Sequence, residues 1–461
     1  MKESDYSTKI QELEKAIADL YKENRELLKR NLELIEQNRN LDEGLERLNS
    51  KMNLESADKK SIRYKMATVF FADIKGFSKL AEQQNAELLI DELDRFFLML
   101  DEIIASHNIE KISSIGDTLM CAGGIPKKNR TNPIEMVLAA IKINDKLKEF
   151  QKELFGEDKV IWEISMGIHT GPVVAAEQGK KKITYELKGE TVNIASRIES
   201  ASEPGKIIIS EMTRELISEF FRCSYIGKIP VKYVGDINLY QVKGFTPKYS
   251  VDKNGLLPNK KFQVKFQLIK FDDLEEYMLD KMERELPKYL HYHNLKHTID
   301  VGIQAEIIGQ GEGISDEEML LLKTAALFHD SGQTIQTRDH ELIGTRIASS
   351  ILPKFGYSSE QIAEIQQIIM ATKLPPQPKT LLQKIICDAD LDYLGRSDFI
   401  PVSNMLYKEL HEQNLINSIN DWNKLQIKFL TPHQYFTETA NKLREVNKQT
   451  QIERLKNEII D

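Results

Sequence analysis

An aspartate, Asp73, follows the apolar run Thr68-Val-Phe-Phe-Ala72, and a second, Asp117, comes 44 residues later in Ser114-Ile-Gly-Asp117. Carboxylates paired in this way can hold two divalent cations, hard ions that take oxygen ligands. In Thr191-Val-Asn-Ile-Ala-Ser-Arg197, Asn193 and Arg197 stand four residues apart, so a helix would present both on one face, where an amide and a guanidinium can meet a phosphate. The second half of the chain holds a different set: Tyr292-His-Asn-Leu-Lys-His297, Leu327-Phe-His-Asp-Ser-Gly332 and Asp388-Ala-Asp-Leu-Asp392. Imidazoles and carboxylates in that order, brought together by neighbouring helices, suit a divalent ion that activates water against a phosphate ester.

The elements that must carry these residues fall into separate stretches. A chain of 461 residues exceeds the roughly 250 to 300 residues at which single cores stop growing, which predicts two or three domains. From Ile10 to Met52 apolar residues recur in steps of three and four. Leucine fills every d position from Leu13 to Leu48, and Asn24, Asn31 and Asn38 sit at a positions. That heptad repeat predicts a parallel dimeric coiled coil over residues 7–55. Tyr21, Leu28 and Ile35 at e positions keep open a helix docked on its own chain. Residues 61–244 alternate strand-like runs (Ala67 to Phe71, Val160 to Ile168, Lys206 to Ser210, Leu239 to Val242) with helical stretches such as Ala86 to Ala105, which predicts an α/β domain. Residues 245–261 are rich in proline, glycine and polar side chains and read as a linker, and residues 262–461 show helical periods alone.

Composition narrows the partners. The net charge of -8 argues against a nucleic-acid binder, which would carry a basic surplus. Three scattered cysteines suggest neither a disulfide framework nor a zinc cluster. No stretch approaches the ~20 apolar residues of a membrane-spanning helix, and a cytoplasmic protein that does not enter a membrane is expected.

The three pieces of the first half, in this order and spacing, resemble the class III nucleotidyl cyclases. The resemblance implies a ferredoxin-like α/β fold and two ions, Mg2+ or Mn2+, held by Asp73, Asp117 and the carbonyl of Ile74. Gly76 and Phe77 would form the turn that approaches the phosphates. It further implies that Asn193 orients the ribose and that Arg197 stabilises charge on the phosphate. Metal carboxylates and the Asn/Arg pair come from opposite subunits in such enzymes, so a homodimer through the coiled coil and the cyclase domains is expected. Lys232 matches a lysine that grips the β- and γ-phosphates, and reads equally well as an edge-strand lysine. The two base-reading positions are Ser113 and Glu186, which match neither the adenylyl pair (lysine and aspartate) nor the guanylyl pair (glutamate and cysteine). A carboxylate that accepts from the adenine amine, with a hydroxyl donating to N1, favours ATP; GTP or a pyrimidine triphosphate remains open.

The second set resembles the HD superfamily of metal-dependent phosphohydrolases, and more narrowly the animal-type cyclic nucleotide phosphodiesterases. Carried over by position, His297, His329, Asp330 and Asp390 would ligate a divalent metal (Mg2+, Mn2+, Fe2+ or Zn2+), His293 would be the general acid, and His340 would touch a second metal's water or the phosphate. Together the two resemblances imply a bifunctional enzyme that makes cyclic AMP from ATP and hydrolyses it to AMP. The alternative is a cyclase controlled by an HD domain that senses a nucleotide or metal without turnover.

Overall fold

The computed structural model describes residues 61–75, 86–115, 118–155, 163–178, 184–231, 234–252 and 255–459. The heptad segment 7–55 therefore lies outside the described residues. By internal contacts the described chain divides into a small unit (61–62, 175–178 and 184–186) and a large one holding the rest.

The expected α/β part is present. It runs β1 (Ser61–Lys75), α1 (Ala86–Ser106), β2 (Ile109–Ile115), β3 (Thr118–Gly123), α2 (Asn132–Phe155), β4 (Glu163–Gln178), β5 (Thr184–Lys188), α3 (Glu190–Ser200), β6 (Ile207–Ser210), α4 (Glu211–Ile217), β7 (Phe221–Val231) and β8 (Gly235–Phe245). The sheet order is β2-β3-β1-β4-β6-β8-β7, with β5 pairing β4. Its first four strands follow the β-α-β-β-α-β succession with order β2-β3-β1-β4, the split βαβ arrangement. A strand in the middle of such a sheet is covered on both faces, and in β1 Ala67, Val69 and Phe70 are buried together with Thr68, whose hydroxyl donates to Asn132 Oδ1 at 2.6 Å.

Phe70, Ala72 and Ile74 share a core with Phe96, Leu100 and Ile103 of α1 and with Met136, Val137 and Ala140 of α2. Ile194 and Ile198 of α3 pack in a second cluster with Ile208, Val231 and Leu239. This apolar stripe fixes the rotation of α3 and leaves Asn193 and Arg197 exposed.

The carboxy-terminal part is helical, as expected: α5 (Lys260–Glu285), α6 (Leu295–Gly311), α7 (Asp316–Phe328), α8 (His340–Ile351), α9 (Ser359–Ala371), α10 (Leu381–Asp390), α11 (Phe399–Glu412), α12 (Ile419–Leu430) and α13 (Glu438–Glu458), with short 3-10 turns between. Among these helices, α7, α9 and α10 begin at capping boxes, Ser315/Glu318, Ser358/Gln361 and Thr380/Gln383. In each, a side-chain oxygen and a backbone amide satisfy one another reciprocally. Among the described residues no helix is long and apolar enough to cross a membrane.

Between β8 and α5 the chain is packed where it is described. Phe245 and Tyr249 are buried, Tyr249 hydroxyl donates to Glu219 at 2.6 Å, and Asn259 accepts from Phe262 N at 3.0 Å to cap α5. Proline and glycine turn the chain here, but its aromatic side chains pack on the α/β core.

Helix α5 belongs to both cores. Phe262, with Phe266 and Ile269 beside it, joins the α/β core, where its ring lies 4.9 Å from that of Phe245 and 5.3 Å from that of Phe220. Phe271, Leu274 and Met278 join the core of the helical part. Polar contacts bind the same helix sideways: Lys270 Nζ lies 3.0 Å from the buried Glu135 of α2, and Arg130 Nη1 lies 2.9 Å from Asp273 Oδ1. An exposed ion pair contributes ~0–1 kcal/mol. Burying a phenylalanine contributes about 1.5–3 kcal/mol, so the aromatic plug outweighs the Arg130–Asp273 pair.

Candidate functional site

In the helical part the metal-type residues converge. Asn294 caps α6, its side chain accepting from Lys296 N at 2.9 Å and His297 N at 3.3 Å, which sets His297 in the first turn. His329 and Asp330 directly follow the end of α7, and Asp390 closes α10. His297 Nε2 lies 3.1 Å from Asp390 Oδ1, 3.4 Å from Asp330 Oδ2 and 3.3 Å from His329 Nε2, while His329 Nε2 lies 3.3 Å from Asp330 Oδ2. His297, His329 and Asp390 form a group able to hold a metal ion.

The protonation pattern tests whether a cation fits. His329 Nδ1 sits 2.7 Å from the carbonyl of Ala326, so in the neutral ring Nδ1 carries the hydrogen and Nε2 is a lone pair. That lone pair faces carboxylate oxygens and a second ring nitrogen, an arrangement of acceptors that needs shared positive charge. Asp330 Oδ2 is buried there without a hydrogen-bond partner. Burial opposes a charged His329, yet Asp330 and Asp390 outweigh it and hold its pKa well above the usual range. Likewise burial works against the charged forms of Asp330 and Asp390, but His329 and its neighbours pull both carboxyls down. The donor set of His297, His329 and Asp390 fits a divalent cation.

His340 and His293 flank this cluster. His340 Nε2 lies 3.1 Å from Asp330 Oδ1, the opposite oxygen from the one facing His297 and His329. Gly332 permits this approach, because a Cβ there would stand 2.0 Å from the carbonyl of His340. His293 Nδ1 meets Glu409 Oε1 at 2.6 Å, and Glu409 Oε2 accepts the amides of Tyr292 at 2.9 Å and His293 at 3.1 Å. Burial lowers and Glu409, Asp330 and Asp390 raise the pKa of His293, and the net shift is upward. Glu409 escaped sequence reasoning. It lies more than a hundred residues from His293, inside Lys408-Glu-Leu-His-Glu412 of an amphipathic helix, where nothing in the spacing separates it from a surface acid.

In the α/β part Asp73 stands near the end of β1, in register with Thr118, the residue after Asp117. Thr118 Oγ1 donates to Asp73 Oδ1 at 3.0 Å, and Lys75 Nζ pairs with Asp73 Oδ2. An ammonium therefore stands against the carboxylate expected to bind a cation. Ile74 is buried in the core. Asp117, Gly76, Phe77 and Lys232 lie outside the described residues. Asn193 and Arg197 share the exposed face of α3, and Arg197 Nη1 donates to the carbonyl of Pro230 at 3.3 Å. Ser113 is half-buried on β2, opposite Met120. Within the small unit, Gln178 donates to Glu186 Oε2 at 2.5 Å.

Comparison with known families falls on these two regions. Residues 60–244 match the family described as "Adenylate and Guanylate cyclase catalytic domain", and residues 294–392 match "HD domain". The chain thus carries an adenylate/guanylate cyclase catalytic domain followed by a helical HD region; His293 immediately precedes the matched HD span, and Glu409 lies well beyond its end. The first region is 36% identical over 182 residues to receptor-type guanylate cyclase gcy-8 of Caenorhabditis elegans, covering 39% of this chain and 16% of that protein. It is 33% identical over 184 residues to guanylate cyclase 2G of Mus musculus, again covering 39% and 16%. Among solved structures, the adenylyl cyclase CyaB from P. aeruginosa is 32% identical, covering 40% of this chain and 95% of that one, with a TM-score of 0.37. The chain spans about a sixth of the length of these curated relatives.

Proposed function

We propose that the chain is a homodimeric nucleotidyl cyclase, using ATP, joined to a metal-dependent cyclic nucleotide phosphodiesterase. Divalent cations, when bound, act as Lewis acids that screen phosphate charge and make a hydroxyl or water more acidic. Asp73, Asp117 and the Ile74 carbonyl would hold them in the cyclase domain, and His297, His329, Asp330 and Asp390 in the HD domain, with His340 on the free side of Asp330. In the first reaction the ribose 3′-oxygen bonds to the α-phosphorus while the bond to pyrophosphate breaks and the hydroxyl proton passes to solvent. Asn193 orients the ribose, Arg197 meets the charge on the phosphate, and Gly76, Phe77 and Lys232 approach the triphosphate. In the second, a water oxygen bonds to the cyclic phosphorus and its proton passes to solvent, while the bond from phosphorus to the 3′-oxygen breaks and His293 gives that oxygen a proton.

One observation carries the dimeric reading. Glu199 reaches Lys75, and hence the neighbourhood of Asp73, from the buried side of α3. Arg197, two residues earlier, lies about 200° round a helix of ~3.6 residues per turn and is exposed. Arg197 therefore points away from the Asp73 of its own chain, which supports a site whose partner acid comes from a second copy. The heptads of residues 7–55 supply the means of pairing.

For the base, a carboxylate at Glu186, where adenylyl cyclases carry aspartate, favours adenine with Ser113 donating to N1. A second reading, GTP, is favoured by the guanylate cyclases among the curated relatives. Full-length protein incubated with Mn2+ and each of ATP, GTP, CTP and UTP tests both halves. Transient cyclic AMP followed by AMP is the expected course. Cyclic GMP as the sole product would move the base choice, persistent cyclic nucleotide would remove the phosphodiesterase, and no cyclic product from any triphosphate would remove the cyclase.

A further inference from the structure

We propose that Lys75 is a positioning residue for the metal carboxylate Asp73, sharing its ammonium between Asp73 and Glu199 so that a divalent cation arriving at Asp73 drives it onto α3. The inference rests on the composite-site reading above. Lys75 Nζ pairs with Asp73 Oδ2 and lies 3.4 Å from Glu199 Oε1. The Glu199 side chain is 9% exposed and that of Lys75 42%, so the acid is fixed in the protein and the ammonium is the part free to move. Helix α3 is seated directly against the sheet. It sits so close to β4 that a Cβ at Gly167 would stand 2.2 Å from Glu199 N.

An ammonium and a divalent cation compete for the same oxygen, and like charges that close repel. Once a cation holds Asp73, the remaining partner of Lys75 is Glu199, two residues beyond Arg197 on the same helix. Asp73 serves one composite site and Arg197 the other. Cation entry at one site is thereby felt by the helix that serves its twin.

The test is Mn2+ binding to the full-length protein, followed by electron paramagnetic resonance with 3′-deoxy ATP or 3′-deoxy GTP present. Neither analogue has the hydroxyl that attacks, so no turnover confuses the reading. The sites of interest are those lost in Asp73→Asn. Lys75→Met removes the competing ammonium, and these sites should bind Mn2+ about threefold more tightly, the scale of one partly exposed ion pair. Glu199→Gln leaves Lys75 to Asp73 alone and should weaken binding by a similar factor, while Lys75→Arg should stay near the parent. A mere packing defect would weaken both variants. Shifts of the same sign, or none, overturn the proposal while leaving the cyclase reading intact. Unchanged binding in Asp73→Asn overturns the metal assignment itself, and this proposal with it.

Discussion

Glu409 Oε1 lies 2.6 Å from His293 Nδ1, and the other oxygen of the same carboxylate accepts the backbone amides of Tyr292 and His293. One buried acid thus fixes both the position and the charge of an imidazole that faces the metal-type cluster. Because the pKa of His293 is raised above its ordinary value, the protonated form persists to higher pH and is lost as pH rises through the raised value. Hydrolysis of the cyclic nucleotide should therefore fall on the alkaline side. Glu409→Gln removes the charge and should move that alkaline limb to lower pH in a kcat/KM profile taken with Mn2+. A limb that stays in place would show that Glu409 does not set the proton on His293.

His293→Ala should lower hydrolysis by about 10²- to 10⁴-fold, the usual contribution of a positioned general acid, with the bound metal retained. Asp330→Asn should act differently. With one of the facing acceptors neutralised, the full-length chain should lose a divalent metal equivalent after dialysis, read by elemental analysis. Its cyclic product should then accumulate instead of passing on to the monophosphate.

Arg197→Ala should slow cyclisation by about 10²- to 10³-fold, the loss typical of one preorganised charge-stabilising donor. Co-expression with Asp73→Ala chains should restore activity. Random pairing makes half the dimers mixed, each with one intact site of two, so roughly a quarter of the parental rate is expected. Mixed dimers with no recovery would rule out sites shared between subunits.

Phe262→Ala should destabilise the chain by about 3–5 kcal/mol, as for other buried aromatic truncations. Arg130→Ala, which breaks the pairs with Asp273 and Glu276, should cost less than about 1 kcal/mol. Urea melts of the two variants measure the difference, and equal losses would show that charge and not the aromatic plug holds the junction.

What the sequence disclosed depends on how local each signal is. Apolar runs such as Ala67 to Phe71 give β1 because a central strand is buried on both faces, and the capping box at Ser315 and Glu318 is written within four residues. The histidines and aspartates of the HD cluster were legible because metal ligation restricts residue type, and type with order survives in a linear string. Glu409 was not legible, since its partner lies on another helix and glutamate on a helix face carries no signature. Lys75 stood in plain view beside Asp73, but its second partner, Glu199, becomes visible only once α3 is docked on β4. The packing of residues 245–252 and 255–261 was hidden by their turn-forming composition. Proline and glycine report where a chain bends, and say nothing of whether the bend is seated on a core.

The doubly embedded helix α5 restricts how this chain can be divided. A cut at residue 261, where composition suggests one, would leave an aromatic socket of Phe220, Phe221, Phe245 and Tyr249 open to water and strand Phe262 on the other fragment. A cut after Ile269 would instead shear Phe271, Leu274 and Met278 from the helix that delivers them. Neither half can be excised without a hydrophobic wound, so gene fusions, truncations and domain exchanges must carry the whole rod with its two sockets or repack one of them.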